Sequence, residues 1–104
     1  MDKNTSPLIS ILMLTYNRAH FVREAVLSVI SQTYSNWELV IIDDGSKDDT
    51  KSVIENLGDK RIRYIKHEDN LGLYARRRQS LSYVTGEYTA ILDSDDYWTS
   101  PTKL

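Results

Sequence analysis

The stretch WELVIIDDGS, residues 37–46, is a dense apolar run that ends in two carboxylates and a glycine. A short run of this kind is typical of a strand that is buried on both faces of a sheet. Three further runs lie before and after it: LISILMLT at 8–15, RIRYIK at 61–66 and EYTAILD at 87–93. The sequence therefore predicts four short strands.

The segment after the first strand has the spacing of an amphipathic helix. Its apolar residues fall on one helical face, opposite Arg23, Glu24 and Ser28, and Asn17 is the candidate cap. The predicted apolar face comprises Phe21, Val22, Ala25, Val26, Val29 and Ile30.

Two more helices are predicted further along the chain. Ser46 and Asp49 resemble a capping box, the stripe Val53, Ile54 and Leu57 follows, and Gly58 ends this second helix. A third helix is predicted from about Leu73 to Val84, closed by Gly86.

Four strands alternating with three helices give the order βαβαβαβ. This order predicts an α/β, Rossmann-like fold with a mainly parallel sheet and helices on both faces. Residues 1–7 are polar and predict a disordered lead-in, and residues 8–104 form one domain. Ser100 and Pro101 are typical of a helix start, and the sequence stops at Leu104, so we expect a domain truncated at its C-terminus.

Composition excludes several classes of protein. The formal net charge of −2 gives no reason to expect a nucleic-acid partner, and the absence of cysteine excludes disulfides, thiol catalysis and thiolate metal sites. With only two histidines, zinc is disfavoured. No apolar run approaches the roughly 20 residues that cross a bilayer. We expect a cytoplasmic chain, with the inner membrane face as the alternative for a longer parent protein.

Each predicted strand ends in a polar cluster: TYN at 15–17, DDGS at 43–46, HEDN at 67–70 and DSDD at 93–96. Ligands of open parallel sheets bind beyond the carboxyl ends of the strands, so all four clusters should share one edge. Loops are polar in any case, but that does not explain the aspartates at 43, 44, 93, 95 and 96.

Asp93 and Asp95 point the same way if the segment is extended, so two carboxylates could meet one ion. Such oxygen ligands suit Mg²⁺ or Mn²⁺, which commonly also hold substrate phosphates. We expect a divalent cation carrying a diphosphate. The alternative is that DSDD caps the following turn.

Other residues at the same edge suit a nucleotide. Tyr16 offers a flat face for a base, or is a packed aromatic. Asp44 could accept a hydrogen bond from a ring N–H, or simply supports the DGS turn. Of the three arginines 76–78, at most one or two can face the site, because consecutive helical residues diverge by about 100°. The dinucleotide-binding G-x-G-x-x-G, the P-loop and the G-x-S-x-G elbow are all absent.

The segment from LISILMLTYN through DDGSKDDT, followed in order by EDNLGLYARRRQSL and GEYTAILDSDD, resembles the family-2 glycosyltransferases over residues 8–104. The resemblance implies the GT-A nucleotide-diphospho-sugar fold and transfer of a sugar, with inversion, from a UDP-sugar to an acceptor hydroxyl. It implies a dependence on Mn²⁺ or Mg²⁺ and leaves the acceptor, a saccharide, lipid-linked group or protein, undefined.

The resemblance also implies roles for single residues. Thr15, Tyr16 and Asn17 match the motif that borders the base, with Tyr16 stacking on it, and Asp44 matches the aspartate that binds uracil. Arg77 matches the arginine of the family's ARN segment, although Arg76 and Arg78 depart from that pattern. The implied metal and ribose ligands are Asp93 and Asp95, with Asp96 as an alternative metal ligand.

The family's catalytic base lies further along a longer chain, so we expect the base beyond Leu104 and no transfer by these 104 residues alone. Surface left uncovered by a missing half predicts self-association. The alternative function is a receiver-like domain phosphorylated on aspartate, which shares the βα alternation and an acidic pocket. A receiver, however, requires its acidic pair after the first strand, where this chain has TYN.

Overall fold

The computed structural model describes residues 7–92. Its helices and strands follow one another in the order predicted from the sequence. The elements are β1 (Ile9–Thr15), α1 (Ala19–Ile30), β2 (Trp37–Asp43), α2 (Thr50–Glu55), β3 (Ile62–Lys66), α3 (Leu73–Ser80), one 3₁₀ turn (Leu81–Tyr83) and β4 (Tyr88–Ile91). The alternation of strands and helices is therefore confirmed over the described residues.

The four strands form one sheet in the order β3-β2-β1-β4, and every described pair is parallel. The last residue of β1, Thr15, pairs with Asp43 of β2, and Asp43 pairs with Lys66 of β3. The carboxyl ends of these three strands consequently lie level at one edge. This is the arrangement in which α/β sheets bind ligands.

Alternating side chains of the two central strands bury both faces of the sheet. On one face, Ile11, Met13, Leu39 and Ile41 pack against Val22, Val26 and Val29 of α1 and Ile54 of α2. On the other face, Leu12, Leu14, Val40 and Ile42 form a second cluster, which Ile65, Tyr83 and Val84 cover in part. Each fully buried side chain of this kind contributes about 1.5–3 kcal/mol to folding. The predicted α/β fold with helices on both faces is confirmed.

The predicted details of α1 need three corrections. The helix begins at Ala19 after Arg18, and Asn17 is not its cap. Phe21 is half exposed rather than part of the buried face. Ser28, predicted to face solvent, is buried, because its hydroxyl donates to the carbonyl oxygen of Ala25 at 2.7 Å and so hides its polar atom within the helix.

The predicted capping box of α2 is wrong. Neither Ser46 nor Asp49 caps the helix with its side chain. Asp48 does so instead, since its Oδ1 accepts from the backbone N–H and the hydroxyl of Thr50. The third helix is shorter than predicted and continues as the 3₁₀ turn.

Two predictions concern chain ends. Of the lead-in 1–7, only Pro7 is described, and its carbonyl oxygen accepts from the hydroxyl of Tyr34. The helix start predicted at Ser100 and Pro101 lies outside the described residues.

Candidate functional site

Three of the four predicted polar clusters meet at the carboxyl edge of the sheet. Backbone hydrogen bonds continue the ladder past the strand ends, from Asp44 N–H to Thr15 O and from His67 N–H to Asp43 O, each at 2.9 Å. The fourth cluster, DSDD at 93–96, lies outside the described residues. The last described residue is Leu92, whose N–H donates to Leu12 O at 3.1 Å, so the chain enters DSDD directly from the sheet.

Asp43 and Asp44 point to opposite faces of the sheet, because side chains alternate along a strand. Asp43 is in phase with Leu39 and Ile41, and its carboxylate accepts from the Tyr64 hydroxyl and from Ser46 N–H at 2.8 Å. It therefore closes the turn after β2. The two adjacent carboxylates therefore do not lie together on one face of the sheet.

Asp44 instead organises the loop between β3 and α3. Its Oδ1 accepts from Leu71 N–H at 2.9 Å and from Arg76 Nε at 2.6 Å, and its Oδ2 accepts from Gly72 N–H at 2.7 Å. Asp44 has no exposed surface and Arg76 only 4%. A second arm of Arg76 donates to the carbonyl oxygen and carboxylate of Asp69, both at 2.9 Å. Here a buried ion pair and two backbone donors fix one loop.

These contacts define the charge state of Asp44. Burial alone would raise the pKa of this carboxyl. The hydrogen bonds from Leu71, Arg76 and Gly72, together with the charge of Arg76, outweigh that effect and hold the pKa below its usual range. Asp44 is therefore ionised at neutral pH, and it is held that way mainly by the protein's own donors.

The structure brings Arg76 against Asp44. Arg77 is exposed on α3, as is Arg78. Position 76 holds Arg76 where the family's pattern has a small residue. This arginine is buried, so the difference places a cation inside the protein at the edge of the sheet. Helical spacing limits the arginines that face the sheet to one or two of the three, but it does not decide which.

Asn17 ties the first two loops together. It has a positive φ of 52°, a region in which Asn is enriched among non-glycine residues. Its N–H donates to the Ser46 hydroxyl at 2.8 Å, and its Oδ1 accepts from Lys47 N–H at 2.7 Å. Ala19 N–H donates to Asp48 at 3.1 Å. In this structure the side chain of Asn17 is committed to shaping the edge.

Thr15 and Tyr16 lie between these two networks. Thr15 has no exposed surface, and its hydroxyl is one of two side-chain groups in the described part of the chain that are buried without a hydrogen-bond partner. Such groups are uncommon in proteins and each calls for an explanation. Tyr16 is partly exposed, so its ring is accessible at the edge.

A metal centre is not formed by residues 7–92. Within that range no three His, Asp or Glu side chains are close enough together to hold an ion. The predicted ligands Asp93, Asp95 and Asp96 all lie outside the described residues, so their assignment stays a prediction.

Comparison with known proteins identifies the family. The sequence profile of glycosyl transferase family 2 matches residues 10–103. This chain belongs to glycosyl transferase family 2. It is 41% identical over 91 residues to the UDP-Glc:alpha-D-GlcNAc-diphosphoundecaprenol beta-1,3-glucosyltransferase WfgD of Escherichia coli, which covers 88% of this chain and 36% of that protein. It is 43% identical over 101 residues to the putative colanic acid biosynthesis glycosyl transferase WcaA of Escherichia coli K12, covering 95% of this chain and 36% of that one.

Solved structures show the same fold. The family-2 chain matches Staphylococcus aureus TarS in complex with UDP-GlcNAc with a TM-score of 0.80 and 30% identity, over 86% of this chain and 27% of that one. It matches the mannosyltransferase PcManGT of Pyrobaculum calidifontis, in complex with GDP-Man and Mn²⁺, with a TM-score of 0.85 and 24% identity, over 96% of this chain and 31% of that one. The chain thus spans about a third of the length of its relatives. None of the helices in residues 7–92 is long and apolar enough to cross a membrane.

Proposed function

We propose that this family-2 chain is the donor-binding part of an inverting glycosyltransferase that uses a UDP-sugar. The observation that carries the proposal is the carboxyl edge of the sheet. There a buried ion pair holds the loop 69–72 on the face of Asp44, the hydroxyl of Thr15 is buried without a partner on the face of Asp43, and Tyr16 is partly exposed. The names of two relatives, a UDP-glucose-dependent transferase and TarS in complex with UDP-GlcNAc, support a uridine donor.

In this proposal Tyr16 stacks on the base, and Thr15 and Asn17 border it. Asp44 has about four acceptor positions as a carboxylate and uses three of them within the protein. The fourth would accept from the uracil ring N–H, so Asp44 would both order the loop 69–72 and read the base. Because Asp44 has no exposed surface, this role requires the loop 69–72 to shift when the base binds. Arg77 is proposed as a contact nearer the phosphates.

The proposed cation is Mn²⁺ or Mg²⁺, held by Asp93 and Asp95 or by Asp96. Three carboxylates within four residues that follow directly on Leu92 are the oxygen donors that such ions prefer. When bound there, a divalent ion would stabilise the negative charge that develops on the leaving diphosphate.

Sugar transfer is proposed for a protein of the relatives' length. An acceptor hydroxyl would attack the anomeric carbon, the bond from that carbon to the UDP oxygen would break, and a carboxylate beyond residue 104 would take the hydroxyl proton. The share assigned to residues 8–104, as the nucleotide-sugar-binding domain, is to bind and orient the donor. The acceptor is proposed only as a hydroxyl compound. No observation favours the receiver-like alternative.

Calorimetric titration with UDP, ADP and GDP, each with Mn²⁺, tests the proposal. We expect UDP to bind best, because a site built to hydrogen-bond one base rejects others more strongly than stacking alone does. Tyr16→Ala should weaken UDP binding by about 5- to 100-fold, the usual range for loss of a stacking partner. Tyr88→Ala is the matched control, since Tyr88 is an exposed tyrosine at the opposite end of the sheet. Equal affinity for the three nucleotides, or equal effects of the two variants, would contradict the proposal.

A further inference from the structure

The strand β3 leaves one edge of the sheet open. It pairs with β2 on one side, and no other strand of residues 7–92 lies on its outer side. Arg61 O accepts from Leu39 N–H and His67 N–H donates to Asp43 O, so the odd-numbered residues of β3 direct their backbone groups inward to β2. Because backbone groups alternate along a strand, Ile62, Tyr64 and Lys66 direct theirs outward. Among these groups, the Ile62 N–H already donates to Asp59 O at 3.1 Å, which leaves the Ile62 carbonyl oxygen as its outward group.

A cavity of about 300 Å³ adjoins this edge on the side of α2. Its floor is apolar and its wall acidic, with Ile54, Glu55, Gly58, Asp59, Ile62 and Tyr64 as the lining residues. Asp59 is already paired with Arg61 at 2.8 Å. Glu55 has an exposed side chain and is the carboxylate of this wall that can accept a new cation.

The strand itself is basic where its cavity is acidic. Lys60, Arg61, Arg63 and Lys66 fall within seven residues, and Glu68 follows. Of these four cations, Arg61 already pairs with Asp59 and Arg63 with Glu38, so a second copy of this strand presents Lys60 and Lys66 to the acidic wall of the cavity. Charged residues on an edge strand can also serve only to prevent pairing, so the two roles need an experiment that separates them.

We propose that two copies of this chain pair through β3, antiparallel and centred on Tyr64. In this register the Tyr64 N–H of each copy donates to the Tyr64 carbonyl oxygen of the other copy. Lys66 N–H donates to Ile62 O of the partner subunit. By symmetry, the N–H of the partner's Lys66 donates to Ile62 O. The side chain of the partner's Lys66 then lies over Ile62 at the mouth of the cavity, within reach of Glu55.

Charge selects this register over its neighbours. Centred on Tyr64, the pairing of β3 sets Ile62 opposite the partner's Lys66 and Arg63 opposite the partner's Ile65, so no two like charges within the strand face each other. If the pairing were centred on Arg63, Arg63 would lie opposite the partner's Arg63, and centring on Lys66 would likewise set the two Lys66 side chains opposite each other. Like charges in such positions destabilise a pair of strands. Centring on Ile62 would oppose Arg61 to the partner's Arg63. Centring on Ile65 would bring the partner's Glu68 to Ile62, beside Asp59.

The proposed interface is small, since it joins five-residue strands, so we expect a weak, concentration-dependent dimer. The edge of β3 differs from the surface left by a missing half, at which the sequence predicts self-association. The pairing does not depend on the proposed donor site.

A charge exchange tests the contact by sedimentation velocity at neutral pH. Lys66→Glu alone sets Glu against Glu55, and Glu55→Lys alone sets Lys against Lys66, so each should weaken self-association at least about tenfold. An equimolar mixture of the two variants restores opposite charges at both halves of the interface and should associate within about threefold of the native chain. Lys51→Glu, an exposed lysine on the outer part of α2, is the matched control and should change nothing.

Cross-linking tests the register. The chain has no cysteine, so introduced thiols are unambiguous. Hydrogen-bonded antiparallel pairs have Cα atoms about 5.5 Å apart, which a disulfide can span. Ile62→Cys mixed with Lys66→Cys should give the mixed disulfide dimer in preference to either homodimer.

A native chain that stays monomeric at millimolar concentration would show that the basic residues only prevent pairing at the edge. A dimer insensitive to the charge exchange, or one that cross-links without preference, would place the contact elsewhere. Each of these results overturns the proposal.

Discussion

Asp44 is the residue on which the arrangement of the carboxyl edge depends most. It receives three hydrogen bonds, two from the loop after β3 and one from Arg76, and it is fully buried. Breaking a buried ion pair leaves an uncompensated charge and costs far more than breaking an exposed one. The same arginine also contacts Asp69, whose side chain is 80% exposed.

Asp44→Asn should therefore lower the free energy of unfolding at pH 7 by about 2–4 kcal/mol, because Arg76 stays buried, loses its buried counterion and keeps only the exposed Asp69. Asp69→Asn, which removes the exposed partner of the same arginine, should cost less than about 1 kcal/mol. Urea unfolding followed by circular dichroism measures both. Equal losses in the two variants would mean that burial of the Asp44 pair contributes nothing.

Stability should also decrease in acid. The pKa values of Asp44, Glu38, Asp48 and Asp59 are all lowered in the folded chain, because hydrogen bonds to each carboxylate outweigh any effect of burial. A carboxyl with a lowered folded pKa stabilises the fold fully above its unfolded pKa, about 4, and that stabilisation is lost as the pH falls through the folded value. We expect unfolding free energy to be steady from pH 7 to 5 and to fall below about pH 4. Asp44→Asn should show a shallower fall; a slope as steep as that of the native chain would contradict the role of Asp44.

The sequence allowed some of these residue positions to be predicted and not others. The opposite directions of Asp43 and Asp44 follow from strand alternation, since Asp43 is in phase with Trp37, Leu39 and Ile41. The burial of Arg76 could not be read from spacing, because all three arginines suit a helix surface and only the position of Asp44 decides between them.

At the level of elements, the loops after β2 and β3 are joined by a close approach of backbone at Gly45. Its φ is +84°, and a Cβ there would lie 2.9 Å from the carbonyl oxygen of Asp69. Gly58 also has a positive φ, +65°, but a Cβ there would meet no atom within 4 Å. Replacing Gly58 by alanine therefore measures the cost of the backbone conformation alone, whereas replacing Gly45 adds the cost of the steric contact.

Gly58→Ala should cost about 1 kcal/mol in unfolding free energy, the conformational penalty alone. Gly45→Ala should cost about 2–4 kcal/mol, since it adds a clash that the loop 69–72 must relieve by moving. It should weaken UDP binding as well, whereas Gly58→Ala should leave it unchanged. Thermal unfolding and calorimetry measure the two effects. Equal destabilisation by both alanines would mean that the loops are not in contact.

The strands and the start of α3 at Leu73 were predictable, whereas the caps of α1 and α2 were not. An apolar run that is buried on both faces leaves little ambiguity, and β1 and β2 match their predicted positions within one residue. The cap positions failed because Asn17 and Ser46 bond each other's loops. Contacts between residues 29 positions apart are invisible to a rule that reads only local sequence.

At the scale of the whole molecule, the parallel order β3-β2-β1-β4 is what makes the site possible. It brings the loops after β1, β2 and β3 together at one edge, although they are separated by about 25 residues each in the chain. The alternation of strands and helices predicted this edge. The remaining part of the proposed site, Asp93 to Asp96, follows the sheet directly and lies outside the described residues.

The central claim is that a uridine nucleotide binds at this edge. Nuclear magnetic resonance of the ¹⁵N-labelled chain, titrated with UDP and diamagnetic Mg²⁺, tests it most directly. We predict the largest amide shifts in residues 15–17, 44–46 and 70–76, with smaller ones when Mg²⁺ is omitted. Shifts centred on the opposite edge, around Ile9, Glu38 and Tyr88, or no shifts at millimolar UDP, would contradict the account.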